Sequence, residues 1–150
     1  MKYNTAEQDR AVIIFRQMGA KVKTINGVQC YIRFYLDNKL ELYYVYNVTK
    51  DGELYLQRIK PYPFGAGVFM SHNDIIEFIS NDIKKFKNAS NSKVFEIFIK
   101  NNKKINDLIQ SVESLFLENN VPKEQMEVLS KMLEDVDNKI VELLETTPKI

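Results

Sequence analysis

The chain has 150 residues, 45% of them hydrophobic and 27% charged, which is typical of a folded domain with at most a small appendage. Its formal net charge of +1 at pH 7 argues against the strongly basic surface of a dedicated duplex-DNA binder. Cys30 is the only cysteine, which excludes an intramolecular disulfide and a cysteine-based zinc site, and favours a reducing compartment.

The N-terminal residues predict an amphipathic helix. Thr5 followed by Gln8 resembles a capping box, and Gly19 is a suitable C-terminal stop. The apolar residues between them recur on one helical face: Val12, Ile13, Phe15 and Met18. These residues contain no apolar signal core, and no segment approaches the roughly 20 apolar residues of a membrane span. We therefore expect a cytoplasmic protein without a membrane partner.

A hydrophobic period of two over residues 20–60 predicts four antiparallel strands in a meander. Three turn sequences divide this segment: Asn26-Gly27, Asp37-Asn38-Lys39 and Lys50-Asp51-Gly52. With the second turn centred on Asn38, one sheet face is continuously apolar. This register pairs Cys30 with Tyr46, Ile32 with Tyr44 and Phe34 with Leu42. At the third turn a three-residue connection keeps Leu54 and Leu56 on the core face, whereas a two-residue connection would place them on the opposite face. We favour the three-residue connection.

Residues 61–67, Pro-Tyr-Pro-Phe-Gly-Ala-Gly, predict a loop, because proline has no N–H for a ladder and glycine weakens strand pairing. A helix then begins near Ser71, which together with Asp74 is a typical helix start. Its apolar stripe continues to the polar break at residues 88–92: Ile75, Ile76, Phe78, Ile79, Ile83 and Phe86. This helix and the N-terminal helix should cover the core face of the sheet.

The segment from Ser92 to about Thr146 predicts an antiparallel hairpin of two long amphipathic helices. Apolar residues recur at steps of three and four on both sides of residues 119–122, and Pro122 suits the first turn of a helix. The antiparallel register forms apolar layers, here called the hairpin seam: Leu115 with Met126, Val112 with Leu129, Leu108 with Leu133, Ile105 with Val136, and Phe98 with Leu143. The same register sets a basic run, Lys100, Lys103 and Lys104, near an acidic run, Glu134, Asp135 and Asp137.

Further apolar residues, among them Ile109, Phe116, Met132 and Val141, widen the stripe beyond that of an isolated two-stranded coil. Either the preceding helix covers this surplus or a second copy packs on it to form a four-helix bundle. We favour the homodimer. Its predicted interface consists of Phe98, Ile109, Val112, Phe116, Met132, Val136 and Ile140.

These patterns predict an α+β protein with an N-terminal helix, a four-stranded antiparallel β-meander, a helix and a C-terminal helical hairpin. Residues 1–88 should form an α-β4-α domain. Residues 92–146 should form the coiled-coil-like hairpin, which either packs on that domain or serves for dimerisation.

The sheet face opposite the core is rich in aromatic and polar side chains and is here called the tyrosine face: Tyr31, Arg33, Tyr35, Tyr43, Tyr55 and Gln57. Aromatic rings beside a cation can stack unpaired bases, and Arg58 lies near this set in the sequence. The same composition suits a protein or small-ligand partner, or a sheet that simply exposes tyrosines. The sequence leaves these interpretations open, with nucleic acid the less favoured ligand.

Gly65 and Gly67 lie shortly before a helix whose first turn contains His72, and exposed amides at a helix start can bind an anion. The segment lacks the Lys-Ser/Thr pair of a phosphate loop and the third glycine of a dinucleotide fingerprint. We therefore favour the simpler interpretation, in which the glycines let the chain turn between sheet and helix.

The sequence contains no catalytic constellation. His72 is the only histidine, which excludes a multi-histidine site, and the hairpin lacks the Glu-x-x-His pairs of a di-metal bundle. We expect no metal, no cofactor and no catalytic residue. The predicted function is a non-enzymatic interaction module with a protein partner, an adaptor, regulator or small chaperone. The alternative is a binder of single-stranded nucleic acid or nucleotides.

Overall fold

The computed structural model describes residues 13–14, 16–18, 28–36, 39–48 and 51–149. In these residues four strands precede three helices: β1 (Val28–Tyr35), β2 (Glu41–Val48), β3 (Leu54–Lys60), β4 (Phe64–Phe69), α1 (His72–Ala89), α2 (Phe95–Glu118) and α3 (Lys123–Thr146). The protein is therefore α+β, as predicted. The predicted N-terminal helix lies largely outside the described residues, as does the first strand predicted after Ala20.

The four strands form one antiparallel sheet in chain order. The predicted register is confirmed: Cys30 pairs with Tyr46, Ile32 with Tyr44 and Phe34 with Leu42. β3 continues this register, with Val48 opposite Leu54. Leu54 and Leu56 are buried together with Leu42 and Tyr44, which confirms that they belong to the core face.

The loop predicted over residues 61–67 is wrong, because Phe64–Phe69 forms β4. In the described sheet β4 is an edge strand that pairs with β3, and both prolines of the segment precede it, so they interrupt no ladder. The register shifts by one residue between Leu56 and Gln57, and Gly67 at this bulge has a φ of +103°. Glycine adopts such a backbone angle without the steric cost of a side chain. Glycine, which in the sequence argued against a strand here, is therefore the residue that allows the bulge in β4.

α1 covers the core face of the sheet. The Ser71 hydroxyl caps this helix by accepting a hydrogen bond from the backbone N–H of Asp74 at 3.2 Å, which confirms the predicted start. The buried cluster joins the sheet, the β3–β4 turn and α1: Leu42, Tyr44, Leu54, Leu56, Tyr62, Ile75, Ile79 and Phe86. Each buried leucine or isoleucine contributes about 1.5–3 kcal/mol, so this cluster fixes α1 on the sheet.

The chain divides into two compact units, Met1–Ile99 and Lys100–Ile150. The second unit contains most of α2 and all of α3, joined by residues 119–122. Near this connection both helices line one depression, formed by Leu115, Val121, Gln125, Val128, Leu129 and Met132. The two helices therefore form a hairpin at this end.

Farther from the connection, the hairpin seam is not buried by the chain itself. No residue of α2 or α3 is buried. Four central members of the seam are between 42% and 56% exposed: Ile105, Leu108, Leu133 and Val136. Among the ion pairs of the described residues, none joins Lys100, Lys103 or Lys104 to Glu134, Asp135 or Asp137. Within one chain the central seam residues therefore stay about half exposed, and the predicted ion pairs between the two helices are not formed.

Candidate interaction surfaces

The tyrosine face presents an exposed aromatic and cationic cluster. Arg33 lies opposite Tyr43 in the β1–β2 ladder, and its guanidinium carbon lies 4.4 Å from the centre of the Tyr43 ring. Tyr31 stacks on the same ring, with the two ring centres 6.3 Å apart and the planes 26° from parallel. A cation over a tyrosine ring is attracted by the negative face of the ring. Tyr43 therefore holds both exposed neighbours in a defined arrangement.

Charge on this face is balanced by Glu41. Its carboxylate accepts a hydrogen bond from the ammonium of Lys60 at 2.6 Å and lies 3.9 Å from Nε of Arg33. Hydrogen bonds with the phenols of Tyr43 and Tyr35 raise the pKa of Arg33. Two cations and one carboxylate leave this part of the face with a single net positive charge.

The strand register shows how the predicted members of the tyrosine face are arranged. Tyr31, Val45 and Gln57 form one row across three strands, and Arg33, Tyr43 and Lys60 form the next. Tyr35 and Tyr55 lie on the same face, 71% and 44% exposed, and the Tyr55 hydroxyl donates a hydrogen bond to Glu53 at 3.1 Å. The sequence pattern did not predict that Lys60 lies on the tyrosine face, because a bulge between Tyr43 and Tyr44 shifts the register of β3.

Arg58 does not belong to the tyrosine face. It lies on the core face of β3, is 4% exposed, and donates from Nη1 to both oxygens of Asp82 at 3.0 and 2.7 Å. The Tyr44 hydroxyl donates to the same carboxylate at 2.8 Å. The guanidinium carbon also lies 4.7 Å from the centres of the Tyr62 and Phe86 rings. Arg58 therefore links sheet and helix in the core instead of adding positive charge to the tyrosine face.

The buried ion pair is a structural element of the first unit. Removing two charges from water costs free energy, which their mutual attraction and hydrogen bonds offset only when the geometry is good. Burial, together with the hydrogen bond to Asp82, raises the pKa of Tyr44 far above its ordinary value, so this phenol remains a hydrogen-bond donor. Burial also raises the pKa of Tyr62. A sequence signal for the pair exists, since Arg58 alternates with core leucines and Asp82 follows Ile79 by three residues on the inner stripe of α1.

A groove of about 380 Å³ lies between β1, β2 and α1. Its lining is mostly isoleucine and aromatic: Ile32, Phe34, Tyr46, His72, Ile75, Ile76, Ile79, Ser80 and Ile83. The His72 ring packs edge-on against Tyr46, with 5.8 Å between the ring centres. Gly65 and Gly67, by contrast, pair with Gln57 and Leu56 in the β3–β4 ladder. The two glycines are therefore strand residues, and the structure does not join them with His72 in one anion-binding loop.

The surfaces of α2 and α3 expose most of the predicted interface. Ile109, Phe116 and Met132 are 62%, 62% and 61% exposed. Val136 and Ile140 are also exposed, and Val112 is half-buried. Phe98 instead lies in the first unit, with its ring centre 5.8 Å from that of Tyr62. The exposed members of the predicted interface therefore lie in the second unit, whereas Phe98 packs within the first unit.

Searches for metal sites, membrane-spanning helices and similar proteins identify no further functional feature in the described residues. In the part of the chain that the structure describes, no group of three histidine, cysteine, aspartate or glutamate side chains could hold a metal ion. None of the helices described above has the length and apolar character needed to cross a bilayer. No protein-family model, curated protein or solved structure matches the chain.

Proposed function

We propose that this protein is a non-enzymatic interaction module that self-associates through its C-terminal hairpin and works in the cytoplasm as an adaptor, regulator or small chaperone. The observation that carries the proposal is the apolar surface of α2 and α3, on which Ile109, Phe116 and Met132 are each more than half exposed. Several large apolar side chains exposed on neighbouring helices are typical of protein–protein contacts. A twofold dimer covers the surface on both copies at once, because each copy contributes the same patch.

The tyrosine face can serve a second partner, because Tyr31 and Tyr35 are 62% and 71% exposed. In a dimer that associates through α2 and α3, two tyrosine faces would be carried by one particle. A protein partner with two binding sites would then bind with higher avidity than a single face provides. This arrangement suits an adaptor or regulator better than an enzyme, since the surfaces described above contain no convergent acid, base and nucleophile.

Self-association can be tested by substituting, one at a time, two neighbouring exposed residues of α2. Phe116→Lys places a charge on the apolar stripe, whereas Leu117→Lys places the same charge about 100° around the helix, on another face. Both parent side chains are well exposed, at 62% and 71%. We expect a dimer for the wild type and for Leu117→Lys in sedimentation velocity at micromolar concentrations, and a dissociation constant raised about tenfold or more for Phe116→Lys. A monomeric wild type would overturn the proposal.

A second candidate function is the binding of single-stranded nucleic acid or nucleotides on the tyrosine face. It is favoured by the arrangement of Arg33 over the Tyr43 ring with Tyr31 stacked beside it. Exposed aromatic rings next to a cation can stack bases without reading their sequence. Glu41 opposes this function, because its carboxylate reduces the attraction to phosphates.

Fluorescence anisotropy with a labelled single-stranded oligonucleotide at low salt tests this candidate. Tyr31→Ala and Arg33→Ala should each weaken binding about tenfold, since one stacked base contributes about 1–3 kcal/mol. Lys131→Ala removes an exposed cation elsewhere and should leave binding unchanged. Absence of wild-type binding at low salt would remove the candidate.

A further inference from the structure

The apolar seam of the hairpin stays about half exposed within one chain. Leu108 and Leu133 lie at the same level in the predicted register, yet they are 42% and 53% exposed. α2 and α3 have 24 residues each. In the second unit α3 is about 36 Å long and α2 from Lys100 onward is about 28 Å long, so side by side they present a face of about 650 Å². Two facing hairpins would bury about 1,300 Å², which lies in the range of stable specific interfaces.

A twofold axis allows two ways of stacking one hairpin on another. In the parallel arrangement, residues 119–122 of both copies lie at the same end, and α2 of each copy packs on α3 of the other. In the antiparallel arrangement, these connections lie at opposite ends, and each helix packs on its own counterpart. Apolar burial does not distinguish the two arrangements, so the choice depends on charge.

The charges of α3 disfavour packing it on itself. This helix carries seven carboxylates and only three lysines. An α3–α3 contact would bring like charges together, which costs free energy at an interface. An α2–α3 contact between copies repels less, because α2 carries three lysines beside its four carboxylates. In the predicted register it sets Lys104 level with Asp137, and Lys100 and Lys103 lie within about one helical turn of that level. Those are the charged groups that form no ion pair with one another within the chain.

We infer that the partner of the hairpin is a second copy in the parallel arrangement, with α2 of each copy packed on α3 of the other and the connections at residues 119–122 side by side. This inference rests on the proposed self-association and adds its geometry. The exposed layers of the seam then gain apolar neighbours from the second copy. The lysines of α2 gain carboxylate neighbours from the second copy at the same time.

Spin labels at two positions of the full-length chain, in a Cys30→Ser background, test the arrangement. A label at Asn120→Cys marks the connection, and a label at Gln110→Cys marks the middle of α2; both positions are exposed. In the parallel dimer, Asn120 labels should lie within about 25 Å of each other, because packed helix axes are about 8–10 Å apart and the labels extend outward. In the antiparallel dimer they would be separated by about the helix length of 36 Å or more.

The Gln110 label separates the failure of this inference from the failure of the proposed function. A short Gln110 distance with a long Asn120 distance shows a dimer that is antiparallel, which overturns the inference and leaves self-association standing. If neither label gives a measurable distance between copies, both the inference and the proposed self-association are overturned. Short distances at both positions support the parallel dimer.

Charge-reversal substitutions provide a second test of the pairing between α2 and α3. Lys100→Glu, Lys103→Glu and Lys104→Glu together should raise the dimer dissociation constant at least tenfold at low salt. Adding Glu134→Lys, Asp135→Lys and Asp137→Lys should restore it. The matched control reverses the same number of charges on α1: Lys84→Glu, Lys85→Glu and Lys87→Glu. An equal loss in the control, or no rescue by the added lysines, would overturn the pairing of α2 with α3.

Discussion

Arg58 on β3 and Asp82 on α1 form a buried ion pair in which one guanidinium nitrogen, Nη1, donates to both carboxylate oxygens, at 3.0 and 2.7 Å. The arginine side chain is 5% exposed and the aspartate side chain is 14% exposed. Nε of Arg58 is buried and has no hydrogen-bond partner. The carboxylate is therefore the main compensation for a cation that the fold has removed from water.

Asp82→Ala should strongly destabilise the first unit. It leaves the Arg58 guanidinium buried without its counter-ion, which costs about 3–5 kcal/mol in comparable sites. Glu77→Ala removes an exposed carboxylate from the same helix and is the matched control, with an expected change within about 0.5 kcal/mol. Urea unfolding followed by circular dichroism measures both.

A double variant separates the loss of a counter-ion from the loss of packing. Arg58→Met with Asp82→Leu removes both charges and keeps apolar volume, so its loss of stability should be clearly smaller than that of Asp82→Ala. Equal losses in Asp82→Ala and Glu77→Ala would contradict the role assigned to the ion pair.

The Tyr44 hydroxyl links stability to alkaline pH. Its pKa is raised in the folded protein by burial and by the hydrogen bond to Asp82, whereas in the unfolded chain it is about 10. A raised folded-state pKa means that the folded state keeps its proton longer than the unfolded state. The contribution is therefore fully present below about pH 10 and is lost as the pH rises above that value.

Tyr44→Phe tests this linkage. The variant should lose about 1 kcal/mol at neutral pH, the typical net contribution of one hydrogen bond. Its stability should then decrease less steeply than that of the wild type as the pH rises above about 10. Denaturant unfolding at several alkaline pH values checks both expectations. Parallel stability profiles for the two proteins above that pH would contradict the linkage.

Local periodicity was sufficient to predict the pairing of β1 with β2. Because alternate residues point to opposite faces, only registers that differ by an even number of residues keep Ile32, Phe34 and Leu42 on the same side. A turn centred on Asn38 selects one of them, and the structure has that register. The same alternation placed Leu54 and Leu56 in the core, where both are 1% exposed. Such a prediction needs only the hydrophobic pattern and the length of a turn.

Features that depend on bulges and on tertiary contacts could not be predicted from the hydrophobic pattern of the sequence. One bulge moves Lys60 onto the tyrosine face, and another lets a glycine-rich segment form β4. Arg58 and Asp82 are brought together only when α1 packs on the sheet, so proximity in the sequence placed Arg58 with the wrong cluster. The hairpin pattern predicted both helices correctly. It could not show whether one chain would bury the seam, because apolar spacing is the same for packing within and between chains.

The bulge in β4 can be tested with two glycines of the same strand. Gly67 has a φ of +103°, and a Cβ atom added at Gly67 or at Gly65 would meet no atom within 4 Å beyond the adjacent residues, so space alone does not distinguish them. Gly67→Ala should cost about 1–2 kcal/mol, because the added side chain disfavours the left-handed backbone. Gly65→Ala is the matched control and should change stability much less. Thermal or denaturant unfolding measures both, and equal effects of the two substitutions would show that the backbone angle at Gly67 is not the determinant.

Hydrogen exchange can reveal whether the hairpin depends on association. In one chain no residue of α2 or α3 is buried, whereas Ile75, Ile79 and Phe86 anchor α1 in the core. Binding a second copy stabilises a segment in proportion to the logarithm of protein concentration. Amide protection in the second unit should therefore increase with protein concentration, while protection in α1 and the sheet stays constant.

Phe116→Lys should shift this concentration dependence to at least about tenfold higher protein concentration without changing protection in α1, and Leu117→Lys should leave it as in the wild type. The reason is that the two lysines differ only in the helix face they occupy, so a general effect of charge on α2 would act on both variants alike. Strong protection of α2 and α3 that is independent of concentration would mean that the hairpin is stable without a second copy. In that case the exposed stripe would have to be explained by a different partner.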